Sequence, residues 1–220
     1  SDVPPGPYDL EVMAADLLAV LDSEGIESTH IVGVSMGGIL AQILAVRYPE
    51  RVRSLVLSCT ACHHHQWRID LLEEWAEAAR TTGMRAFLGD GLRWIVGSRS
   101  MRRFWPAMRL FGPIAFDISA EAFVAQIEAI LATDDGLRAE LVDIDVPTLV
   151  IVGSQDVLTP LGDSEELAAL IPGARLAVVR GGAHGFMVEK ASAFNSTILD
   201  FLDEVVAADQ APSGPVALAV

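Results

Sequence analysis

Three short stretches of this chain carry residues that together could perform nucleophilic chemistry: Gly33-Val34-Ser35-Met36-Gly37-Gly38, Gly153-Ser154-Gln155-Asp156 and Gly181-Gly182-Ala183-His184-Gly185. A serine hydroxyl is a weak nucleophile until a base takes its proton. An imidazole serves as that base when a carboxylate holds its tautomer and stabilises its charged form. Ser35, His184 and Asp156 supply those three groups. In a G-x-S-x-G turn between a strand and a helix the serine is pushed clear of the sheet, and the flanking glycines leave room for the helix to fold back on the strand. Met36, directly after the serine, would aim its backbone N–H at the oxygen of a tetrahedral intermediate, at a helix start whose dipole favours negative charge. Each residue also has a plainer use: Ser35 as a helix N-cap, Asp156 as a turn cap before Thr159-Pro160, His184 as a surface loop residue. Their agreement in chain order and local context favours the catalytic reading of the three together.

The flanking sequence contains the elements needed to position them. Asp9 caps a helix whose apolar residues Leu10, Met13, Ala14, Leu17, Leu18 and Leu21 fall at helical spacing, ending at Gly25. His30 to Gly33 reads as the strand leading into Ser35, Ile39 to Val46 as the helix after it, and Ser54 to Ser58 as a second strand beyond the stop at Tyr48-Pro49. From Gln66 to Asp143 the periodicity is helical: Ile69 to Arg80, Met84 to Val96, Met101 to Leu110 and Ala120 to Leu131, with breaks at Gly83, Gly112-Pro113 and Asp134-Asp135-Gly136. Strands resume at Pro147 to Gly153 and Arg175 to Val179, around a helix from about Ser164 to Leu170. A last amphipathic helix runs from Ser192 to Val206. Alternating strands and helices predict an α/β fold with a doubly wound, mostly parallel sheet and an inserted helical layer. Asp156 and His184 then fall just past the carboxyl ends of strands, on the side where such sheets bind ligands. The expected division is a core α/β segment over residues 1–62 with the serine turn, a helical insertion over 63–145, a second core segment over 146–206 with the acid and the histidine, and a disordered tail over 207–220.

Composition narrows the function classes. The chain has 220 residues, 51% of them hydrophobic, enough for a full core. A formal charge of −15 argues against nucleic acid and anionic membrane surfaces as partners. Two cysteines three residues apart offer no disulfide framework, and no leader or long apolar run is present, so the expected setting is cytoplasmic.

Three segments, His30 to Leu57, Thr148 to Pro160 and Gly181 to Leu202, resemble the α/β-hydrolase superfamily, in particular its bacterial esterase, enol-lactonase and cofactor-free haloperoxidase-like branch. The resemblance implies a nucleophile elbow at Ser35, a triad completed by Asp156 and His184, an oxyanion donor at Met36, no cofactor and no metal. The implied activity is acyl transfer from a small-molecule carboxylic ester or lactone through an acyl-enzyme, with the inserted helices as a cap over the site. Haloperoxidase-like or carbon–carbon bond hydrolysis on the same triad is the alternative, and a non-catalytic binding module of the same fold is a third reading. Family members begin with further strands and a loop that supplies a second oxyanion N–H, and nothing before Ser35 matches that loop. The chain is therefore expected to be a fragment of a longer polypeptide, or to have its sheet completed by another chain or a homo-oligomer, with an open strand edge beneath the site. One missing oxyanion donor costs on the order of 100- to 1000-fold in rate.

Three other features have weaker claims. Between Arg85 and Arg109 lie six arginines and one acid, Asp90, interleaved with Trp94, Phe104 and Trp105. They read as a solvated helix face with stems packed on aromatics, ahead of a pocket for an anionic substrate. Cys59-Thr60-Ala61-Cys62-His63 matches the covalent haem pattern C-x-x-C-H, and His64 and His65 extend it. With no distal ligand or zinc partner in sight, lining of the pocket mouth is the stronger reading. His30 reads as a packed or hydrogen-bonded structural residue.

Overall fold

The fold was obtained as a computed structural model, which describes residues 4–84, 91–103, 119–133 and 135–210. Four strands, β1 (Thr29–Val34), β2 (Val52–Ser58), β3 (Thr148–Gly153) and β4 (Arg175–Val179), form one sheet in the order β1-β2-β3-β4. All three pairings are parallel. Each connection therefore crosses over the sheet, and all four carboxyl ends lie along one rim. The ladder runs one residue past three of the strands: Ser35, Cys59 and Ser154 donate their N–H groups to Ser58, Ile151 and Val179. That extension fixes the first residue of each rim loop. β1 is the sheet edge, with no strand on its far side among the described residues.

Helix α1 (Leu10–Ser23) begins where Asp9 accepts from the N–H groups of Glu11 and Val12, the cap expected from sequence. It packs with α2 (Met36–Arg47) on one face of the sheet, against Leu55 and Leu57 of β2 and Val150 of β3. The alternate residues Val56, Leu149, Ile151 and Val179 point to the other face, where the last helix covers them with Ile198, Phe201 and Val205. Between β2 and β3, helices α3 (Gln66–Thr82) and α5 (Ala120–Leu131) pack on each other through a separate cluster of Leu72, Ala76, Ala79, Val124 and Ile127. The short helix α4 (Leu92–Ile95) lies between them in sequence.

Beyond the expected helices short ones form, and two expected helix ends shift. Helix α5 ends at Leu131 ahead of Asp134-Asp135-Gly136, as expected, and a further helix, α6 (Asp135–Glu140), begins within that stretch. Helix α7 (Leu161–Leu170) begins right after Pro160, three residues earlier than the periodicity suggests, since proline favours a helix start. After the one-turn α8 (Phe186–Glu189), the last helix α9 (Ala191–Gln210) runs on through Ala207 and Ala208, strong helix formers, and Arg53 pairs with Asp209 at 2.9 Å. Residues 207–210 are thus helical rather than tail, and 211–220 lie outside the described residues, as do stretches of the helices expected at 84–96 and 101–110. No helix among the described residues is long and apolar enough to cross a membrane.

Candidate active site

Ser35 sits between β1 and α2 with φ 54° and ψ −120°, a left-handed backbone unusual for a residue with a side chain. The turn is tight because the glycine before it has no side chain. A Cβ on Gly33 would stand 2.3 Å from the Gly37 carbonyl oxygen. The glycines after the serine divide the work differently from the motif's spelling. A Cβ on Gly37 would meet nothing within 4 Å, whereas one on Gly38 would lie 2.5 Å from the Thr60 side chain. Gly38 is the residue that lets α2 approach the loop after β2. Thr60 returns a hydrogen bond from its hydroxyl to the Ser35 carbonyl at 2.8 Å. Met36 opens α2, with its N–H at the positive end of the helix.

Asp156 and His184 are held by two loops packed on each other. A Cβ on Gly153 would stand 2.3 Å from the Gly182 carbonyl oxygen, which instead accepts from Gln155 N–H at 2.7 Å. Ser154 Oγ accepts from Gly181 N–H at 2.9 Å. The acid loop and the histidine loop are therefore tied to each other by hydrogen bonds. Asp156, 5% exposed, uses all its acceptor capacity: Oδ1 takes the N–H groups of Leu158 and Thr159, and Oδ2 takes the Thr159 hydroxyl and His184 Nδ1, each at 2.9 Å. Burial pushes the Asp156 carboxyl up, but the hydrogen bond and charge of His184, with the Thr159 N–H and O–H, overcome it and hold the group below its ordinary value. With the Nδ1 proton directed at this carboxylate, His184 Nε2 is left as an acceptor, and it lies 3.1 Å from Ser35 Oγ. The three residues named from sequence thus form one hydrogen-bonded line, which can carry a proton from the hydroxyl to the imidazole.

Other residues around this line gave no sequence signal. Thr159 bonds both Asp156 and His184, at 2.9 and 3.2 Å. Arg68, 2% exposed, reaches from α3 into the wall beside Ser35 and donates to Leu158 O, His63 O and Asp163 Oδ2. Cys59 is fully buried at φ 46°, and its Sγ, an Asp156 oxygen and a His184 nitrogen lie within 4.8 Å of one another. This is the one grouping of metal-ligand type found among the described residues, yet two of its members are already bonded to each other. Burial pushes both thiols up, Cys62 to about 12, and both cysteines are free. Cys62, His63 and His64 line a hollow near the serine rather than one ligand cage. His30 Nδ1 pairs with the buried Ser54 hydroxyl at 2.8 Å on the sheet, the structural role expected of it. Of the six arginines, Arg85 and Arg109 lie outside the described residues.

Residues 1–191 match a family described as the alpha/beta hydrolase fold. Among curated relatives, "Putative carbamate hydrolase RutD" of Azorhizobium caulinodans is 34% identical over 209 residues, 91% of this chain and 76% of that protein. The 3-oxoadipate enol-lactonase 2 of Acinetobacter baylyi is 30% identical over 206 residues, 90% of this chain and 72% of that protein. Among solved structures, an enol-lactonase from Burkholderia xenovorans LB400 superposes with a TM-score of 0.84 at 32% identity, covering 92% of this chain and 76% of that one. On that likeness, and on a family match spanning residues 1–191, this chain is a hydrolase that belongs to the α/β-hydrolase fold family.

Proposed function

We propose that this hydrolase cleaves a small-molecule carboxylic ester or lactone through a covalent acyl-enzyme, with Ser35 as nucleophile, His184 as base and Asp156 as its partner. The observation that carries the reading is the unbroken line Ser35 Oγ, His184 Nε2, His184 Nδ1, Asp156 Oδ2, with contacts of 3.1 and 2.9 Å, starting from a strained backbone at the serine. Strain there aims the hydroxyl away from the sheet, toward a carbonyl placed over the rim. His184 takes the serine proton as Oγ attacks, and Asp156 stabilises the imidazolium that results. The Met36 N–H faces the oxygen that turns anionic. His184 then hands its proton to the leaving alkoxide, and water repeats the cycle on the acyl-enzyme to release the acid. The helices between β2 and β3 act as the cap that shapes the pocket.

Likeness to the carbamate hydrolases favours a second reading, in which the same residues open a carbamate and His184 protonates a nitrogen leaving group.

The test is intact mass after exposure to a fluorophosphonate, beside Ser35→Ala. One adduct, lost in the variant, is expected. A folded protein that takes no adduct overturns the reading. Initial rates on enol-lactone, aryl-ester and carbamate panels then separate the two substrate classes.

A further inference from the structure

Ser35 opens into a small hollow of about 50 Å³ walled by Met36, Thr60, Leu158 and Thr159. Three of its residues, Ile39, Ala61 and His64, are shared with a second hollow of about 410 Å³, whose further walls include Cys62, Ile69 and Leu131. Thr133 and Leu137 are shared in turn with a third, of about 250 Å³, which ends at Glu11 and Arg47. The series follows one stripe of α2: Ile39 borders the first two hollows, and Ile43 and Arg47 the third. These positions are four residues apart and lie on one helix face, so from Ile39 to Arg47 the stripe is about 12 Å long.

We propose that the 410 Å³ hollow is the acyl subsite, and that the preferred substrates carry an uncharged, elongated apolar acyl group laid along α2 away from Ser35. This rests on the reading of Ser35 as nucleophile. The side of the scissile bond is decided by His184. A leaving group must stay within reach of its Nε2 to be protonated. Among the described residues, no wall of the second hollow comes from the acid loop or from the histidine loop, so that space belongs to the portion of the substrate that stays on the serine. Its chemistry is decided by the lining. Ile39, Ala61, Ile69, Leu131 and Leu137 are apolar and make up most of the wall, Cys62, His63, His64 and Thr133 add the polar groups, and the described lining contains no carboxylate, lysine or arginine to pair with a charged acyl chain. At the far end of the series the guanidinium of Arg47 is held by Glu11 and Glu140.

The experiment is an acyl-length series of p-nitrophenyl esters, from acetate to octanoate, on the wild type and on Ile69→Trp and Thr133→Trp, which fill the hollow from two different elements. In the wild type kcat/KM rises by roughly fourfold per added methylene while each is newly buried. In either filled variant the octanoate-to-acetate ratio falls at least tenfold. Ratios within twofold of wild type in both folded variants overturn the proposal. A binding arm keeps it separate from the nucleophile assignment: calorimetric titration of octanamide into Ser35→Ala, with and without Ile69→Trp. Binding lost in the filled variant supports the subsite, even where fluorophosphonate fails to label Ser35 and the serine reading falls. No octanamide binding to Ser35→Ala overturns the subsite.

Discussion

Arg68 Nε donates to the carbonyl of Leu158 across 3.0 Å, joining a helix that follows β2 to the turn that holds the catalytic carboxylate candidate two residues earlier. The same guanidinium bonds His63 O at 3.0 Å and the buried carboxylate of Asp163. Burial pushes Asp163 up against the pull of Arg68 and His65, so this carboxylate depends on its partner to remain charged. Arg68 positions the Asp156 turn. Arg68→Met is expected to lose about 3–5 kcal/mol of stability, because it strands a buried charge. Adding Asp163→Leu removes that charge and restores most of the melting temperature, while kcat stays depressed because Leu158 and His63 remain unanchored. Full recovery of kcat in the double variant would reduce Arg68 to a structural role.

Thr159 supplies two of the four hydrogen bonds to Asp156, and against the upward push of burial they add to the larger pull of His184 that holds the carboxyl below its ordinary value of 3.8. A carboxylate whose folded value lies under its unfolded one adds stability that is complete above the unfolded value and disappears as pH falls through the folded value. Thr159→Val removes the hydroxyl bond. Its stability deficit is expected at about 1 kcal/mol near neutrality, shrinking below about pH 4 as Asp156 takes up a proton. Urea melts at a series of pH values measure it, and a deficit constant with pH excludes the assignment.

Gly37 and Gly38 invite opposite outcomes. Gly38→Ala forces a Cβ to within 2.5 Å of Thr60, and overpacking of that kind costs about 1–3 kcal/mol. Gly37→Ala meets nothing, and alanine in a helix gains up to about 1 kcal/mol over glycine. Thermal melts of the two variants should move apart, with fluorophosphonate labelling retained in Gly37→Ala. A collapse of both would show that the second glycine of the pentapeptide is needed for another reason.

Both thiols resist ionisation, Cys62 up to about 12 from an ordinary 9.0, chiefly through burial. Iodoacetamide at neutral pH should leave them intact in the folded protein and modify both in urea. A raised folded value adds stability that is full below the unfolded value and is lost as pH climbs toward the folded one, so the thiols contribute to alkaline unfolding between about pH 9 and 12. Cys62→Ala should soften that transition.

The hydrogen-bonded line of Ser35, His184 and Asp156 was legible in the sequence because its determinants are local. A glycine turn joining a strand to a helix, and two loops at strand ends, are written in runs of five or six residues, so Ser35, Asp156 and His184 could be named, and the parallel sheet with them. The two-residue and 3.6-residue periods of the flanking segments fixed which end of each strand they occupy. Other features depend on residues distant in the chain. Arg68 and Asp163 lie 95 positions apart, and Thr60 and Ser35 are 25 apart. Nothing in either local pattern says that one will meet the other. Gly38 takes the close approach expected of Gly37 because only the packed loop after β2 shows which glycine faces it. The hollow along α2 likewise arises where the ends of α5 and α6 approach a helix nearly a hundred residues earlier. Short-range periodicity and turn chemistry determined the elements and the candidate site residues. Side-chain packing between distant segments decided the supports around those groups and the space beside them, since sequence spacing does not encode which surfaces come into contact.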